Sequence, residues 1–150
     1  MTKRTPKLVE NLTSTMQIDP DRYSPITSTS RTASLGYALA GWLYMLRRQK
    51  NTRIQAVASI AVMALAVWLQ ISFAELSIII IAITMVWMAE FVNAAVEAAI
   101  NIAAPDIHPM AKVGKDVASA AVLLGVVASI VVGLLIMGPP LLARLGIEFL

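Results

Sequence analysis

Two carboxylates and two amides stand in register on one stretch of this chain. Glu90, Asn93, Glu97 and Asn101 lie three, four and four residues apart in E-F-V-N-A-A-V-E-A-A-I-N. On an α-helix, at about 100° per residue, they fall within an arc of roughly 80°. They close an apolar run that begins at Leu76. Polar groups are costly on a membrane-length helix, and an ionisable one there is a functional-site candidate by default. Lys115, Asp116 and Ser119 follow a short way on.

Together these side chains suit phosphoryl transfer. That chemistry needs hard oxygen ligands for a divalent metal, a cation for the phosphates and a base for the attacking hydroxyl. Glu97 can hold a metal and Lys115 can neutralise phosphate. Glu90, about 10 Å deeper along the helix, can act as base where a lipid hydroxyl sits. Asn93 can orient either group, and Ser119, one turn from Lys115, can bond a headgroup. Plainer readings stand beside these. Glu97 and Lys115 can form a structural ion pair across the loop. Asp116 can simply complement a helix dipole. His108, before Pro109, reads as a loop residue rather than a metal ligand. The chain has no Walker loop and no protein-kinase signature. The residues alone leave an enzyme, an ion pathway and an assembly scaffold open. The apolar outer halves of the second and third spans count against the pathway.

The surrounding composition is that of a membrane protein. Of 150 residues, 58% are hydrophobic and only 14% charged, well below the ~25% charge of a soluble domain. There is no cysteine, so neither disulfides nor thiolate metal sites are in play. No nucleic-acid-binding module is present. Residues 1–32 are polar and rich in Ser, Thr, Pro and Lys/Arg, which predicts a disordered cytoplasmic tail. They lack the apolar core of a signal peptide.

Four helices are expected. Residues 33–49 carry Leu35, Leu39, Trp42, Leu43 and Leu46 on one stripe, with Ser34 as N-cap and Arg47 and Arg48 at the end. That stretch is too short to span and suits an amphipathic helix in the interface. Ile54–Phe73 is the first span, free of charge, with Gln55, Ser59 and Gln70 as its notable polar groups. A short link returns the chain into a second span at 76–101. A loop broken by Pro105 and Pro109 leads to a third at 111–137. Ala121, Gly125, Ser129 and Gly133 recur every fourth residue there, the spacing of close helix packing. Gly138-Pro139-Pro140 is expected to end it, leaving 139–150 as a short tail. Lys and Arg flank the start of the first span and follow the second, and the first link has none. The positive-inside rule then puts the N-terminus and the 102–115 loop in the cytoplasm.

The E-x-x-N-x-x-x-E-x-x-x-N run, followed by H-P-x-A-K-x-x-K-D-x-A-S-A-A-V-L, resembles the prokaryotic diacylglycerol kinase family, which includes undecaprenol kinases. S-L-G-Y-A-L-A-G at 34–41 and N-T-R-I at 51–54 extend the likeness over roughly residues 31–137. The resemblance implies an all-α homotrimer in the bacterial cytoplasmic membrane, with three spans and a surface helix per chain. It implies ATP- and Mg²⁺-dependent phosphorylation of a membrane lipid alcohol in sites shared between subunits. By position, Glu90 matches the catalytic base, Asn93 the motif asparagine and Glu97 a metal-binding glutamate. Lys115 and Asp116 match the nucleotide-site pair, with Tyr37 and His108 as further nucleotide contacts. Asn51, Arg53 and Ser119 match the substrate side. Three positions depart. Gln49 stands where a second metal-binding glutamate is expected, Asn101 replaces an Asp, and Ala94 replaces a Ser or Thr. Gln holds Mg²⁺ more weakly than a carboxylate. Metal binding then leans on Glu97 and the ATP phosphates, or the chain is a weak or inactive relative serving as a scaffold.

Overall fold

The computed structural model describes residues 30–104 and 108–147 and contains only helices among them. The expected tail falls almost wholly on residues 1–29, and the centre of the loop on 105–107; both lie outside the described residues.

Helix α1 is Arg31–Arg48. It starts earlier than expected: Ser34 is not its cap but sits one turn inside, its hydroxyl donating back to the Ser30 carbonyl at 3.2 Å. Two compact units divide within this helix, Met1–Trp42 and Leu43–Leu150. The three long helices all belong to the second.

Helix α2 is Lys50–Leu69. Gln49 alone leaves helical geometry (φ −94°, ψ 119°), so α2 begins at once and carries Asn51 and Arg53, four residues ahead of the expected start. It also ends early. Gln70 adopts a left-handed conformation (φ 56°, ψ 40°), and the Gln70 and Ile71 amides donate back to the Val67 and Ala66 carbonyls at 3.1 and 3.4 Å. That is a Schellman closure with Gln where Gly is usual.

Helix α3 is Phe73–Ala103. Its start is set by a capping box: the Glu75 amide donates to Ser72 Oγ at 3.3 Å, and the Ser72 amide to Glu75 Oε2 at 2.8 Å. The link is therefore Gln70–Ser72 rather than Ser72–Glu75. Helix α4 is Pro109–Arg144. His108 caps it, Nδ1 accepting from the Met110 amide at 3.2 Å, with Pro109 at the first helical position. Pro139 and Pro140 do not end this helix; it runs on to Arg144. Each proline removes one rung of the backbone ladder, but the last turn is anchored elsewhere. The Arg144 guanidinium lies 4.7 Å from the centre of the Trp68 ring on α2.

All three long helices are apolar enough to cross a membrane. At 1.5 Å per residue α2 is about 30 Å long, the thickness of the hydrocarbon core, whereas α3 and α4 reach about 46 and 54 Å. The core lies toward the Gln70 end, where Ala66, Leu69, Ile79 and Met137 meet. Along the α3–α4 seam the small residues let the helices close: Gly125 faces Val86, and Ser129 Oγ donates to the Ala82 carbonyl at 3.1 Å.

Candidate functional site

The polar ends of α3 and α4 face each other. Ser119 Oγ donates to Asn93 Oδ1, and Asn93 Nδ2 donates to Glu97 Oε1, both at 3.5 Å. One turn further along α4, Lys115 Nζ donates to Asn101 Oδ1 at 2.6 Å. Ser119 and Lys115 thus match Asn93 and Asn101, which sit two turns apart on α3. Gly114 lets this end close, since a Cβ there would come within 2.9 Å of Ile100 Cδ1.

Two of the plainer readings are not what the structure holds. Lys115 does not pair with Glu97; its ammonium donates to Asn101 Oδ1 instead. Asp116 is not a dipole partner in the first turn. With α4 starting at Pro109, Asp116 lies two turns in and joins Lys112 in an exposed ion pair, the only one among the described residues. Lys115 and Asp116 are neighbours in sequence, yet about 100° apart around the helix, and they serve different partners.

Glu90 lies apart from this zipper. It is 5% exposed, the one buried ionisable side chain among the described residues. It sits at one end of a groove of about 590 Å³ between α2, α3 and α4. Asn51 lines the same end. Beyond them the walls turn apolar through Val86, Val126 and Ile83 to Met137 and Leu141. From Asn51 to Leu65 on α2 the groove covers about 20 Å. Among the described residues, Thr52 Oγ1 and Gln55 Nε2, two buried atoms of α2, meet no hydrogen-bond partner. Gln55 lines the groove.

The remaining expected residues are placed as follows. Gln49 is the residue between α1 and α2, and its side chain makes no cap bond. Arg53 is exposed on α2, outside the groove lining. Tyr37 is exposed on α1, in the first unit. His108 is the cap of α4. No group of three or more His, Cys, Asp or Glu among the described residues is set to hold a metal. Glu97, half-buried and steadied by Asn93, offers a single carboxylate. That donor set fits Mg²⁺, which commonly takes one or two carboxylates and draws its other ligands from water and phosphate.

The model of the family described as prokaryotic diacylglycerol kinase matches residues 36–137. The chain belongs to this family. The matched segment holds all of α2 and α3, most of α1 and α4, and every candidate residue above. A diacylglycerol kinase of Synechocystis sp. is 32% identical over 111 residues, covering 73% of this chain and 63% of the relative. An undecaprenol kinase of Bacillus subtilis is 34% identical over 95 residues, covering 63% of this chain and 77% of the relative. A diacylglycerol kinase of Pseudomonas aeruginosa is 30% identical over 86 residues, covering 57% and 70%. The chain thus spans less than two thirds of the cyanobacterial relative. Two of these relatives are named for diacylglycerol and one for undecaprenol.

Proposed function

We propose that this chain transfers the γ-phosphoryl group of ATP to the hydroxyl of a membrane lipid alcohol at the cytoplasmic interface. The observation that carries this reading is Glu90, a buried carboxylate that lines an apolar groove together with Asn51. The relatives' names, diacylglycerol kinase and undecaprenol kinase, support it.

The depth of Glu90 suits the reaction. It lies 17 residues past Phe73, about 26 Å along α3. With the start of α3 at one interface, Glu90 comes close to the other, since the hydrocarbon core is ~30 Å thick. Positive-inside loops make that second interface cytoplasmic. A lipid whose chain lies in the groove holds its hydroxyl beside Glu90. The groove is longer than the ~15 Å of one leaflet.

Glu90 takes the hydroxyl proton while the lipid oxygen attacks the γ-phosphorus. The O–H bond breaks, the new O–P bond forms, and the bond from the γ-phosphorus to the bridging oxygen breaks to release ADP. The proton rests on the Glu90 carboxyl. Asn51 orients that carboxylate, and Lys115 offers its ammonium to the phosphates. Glu97, held by Asn93, is the protein ligand for Mg²⁺, with Gln49 a neutral second candidate. When bound, the ion would neutralise phosphate charge. Tyr37, His108 and Asp116 are assigned to the nucleotide, and Arg53 and Ser119 to the lipid headgroup. The active form is a homotrimer. Apolar side chains such as Leu123, Leu124 and Leu135 remain outward on α4, facing lipid or a second copy.

The direct test is phosphate transfer from ATP by the purified chain, offered a diacylglycerol and a polyprenol in turn. Phosphorylation of either, lost in Glu90→Gln, supports the reading. No transfer to any lipid alcohol leaves the scaffold reading in its place.

A further inference from the structure

Ser59 is a hydroxyl inside a charge-free span, and it both donates and accepts. Its Oγ donates to the Gln55 carbonyl one turn back on α2 at 2.8 Å. With the proton spent there, the same oxygen accepts from Trp87 Nε1 on α3 at 3.1 Å. An indole N–H can only donate, and in a membrane span water does not stand in for an acceptor. The bond therefore ties α2 to α3 between two half-buried side chains. Trp87 also lies against Phe91, with the ring centres 6.1 Å apart.

Trp87, Glu90 and Asn93 follow one another at three-residue steps on α3. Each is turned about 60° round the helix from the last and lies about 4.5 Å further along it. The first is tied to Ser59 on α2. The last is tied to Ser119 on α4 at 3.5 Å. Glu90 sits between the two ties, buried, and lines the groove that α2 and α4 border. Trp87 does not line that groove. Resting on the lipid-kinase reading, we propose that Ser59 and Trp87 are positioning residues for Glu90: their bond sets the rotation of α3 against α2 and so aims the carboxylate into the groove. Neither side chain takes part in the proton transfer. Without the bond, α3 can turn about its tie to α4 and carry the base out of line with the hydroxyl. A misplacement of about 1 Å can cost about 10²-fold in rate.

The full chain, in vesicles with ATP and Mg²⁺, is offered a diacylglycerol and a polyprenol. Ser59→Ala and Trp87→Phe should each lower kcat about ten- to hundredfold and leave the KM for ATP unchanged. The double variant should lose no more than either single one, because both changes remove the same bond. Ser59→Thr keeps a hydroxyl that can bond back to the Gln55 carbonyl, so it should keep the native kcat. Circular dichroism should show native helix content in all four variants. A native kcat in Ser59→Ala overturns the proposal while the kinase reading stands. So do losses that add in the double variant, or a fall in helix content that accounts for the lost rate, since both mark a packing role. If the native chain phosphorylates neither lipid, the kinase reading falls and this inference with it.

Discussion

Lys115 Nζ bonds Asn101 Oδ1 at 2.6 Å, so the cation at the start of α4 is held by a neutral amide from the end of α3. An amide positions an ammonium without cancelling its charge, and it leaves that charge for an incoming phosphate. Removing the cation with Lys115→Met should raise the KM for ATP about ten- to hundredfold, the worth of one hydrogen bond to a charged group. Asn101→Leu keeps the charge and loses only the tether, so its effect should be smaller. ATP titrations of the two variants check the order.

Gln49 lies between α1 and α2, and its side chain is free of any cap bond. Gln49→Glu places a carboxylate at the start of α2, where the helix dipole favours it by about 0.3–1 kcal/mol, so the variant should fold. If this position completes the metal site with Glu97, the Mg²⁺ concentration for half-maximal rate should fall about tenfold, the effect of ~1.4 kcal/mol. A Mg²⁺ titration with no shift removes Gln49 from the site.

Gly125 packs against the α3 backbone, where a Cβ would lie 3.8 Å from Val86 Cα. Gly125→Ala should therefore be tolerated. Gly125→Leu must push α3 and α4 apart, costing about 1–3 kcal/mol by overpacking. It should also break the Ser129 bond to the Ala82 carbonyl one turn away. The midpoint of thermal unfolding in detergent distinguishes the two variants.

The three spans were legible because each is a long apolar run. Their ends were less so, and for local reasons. Ser72 and Glu75 form a capping box that can be read in hindsight from their spacing. Gln70 instead adopts a left-handed turn that favours glycine, and Pro139-Pro140 is carried through by a helix anchored at Arg144. The Glu90–Asn101 face was legible from helical spacing. Which residue of α4 meets which residue of α3 was not. That depends on how the helices are rotated against each other, and a slip of one turn separates Lys115 on Glu97 from Lys115 on Asn101. Gln55 was visible as a polar residue in a charge-free span, but its missing partner is a property of the three-helix packing.

The central claim is that the buried Glu90 carboxylate is the base for a lipid hydroxyl. Glu90→Gln keeps the shape of the side chain and removes its capacity to take the proton. Lipid-dependent ATP consumption by the purified variant should fall at least ~10²–10⁴-fold, with helix content and assembly unchanged. Full activity in that variant would contradict the account.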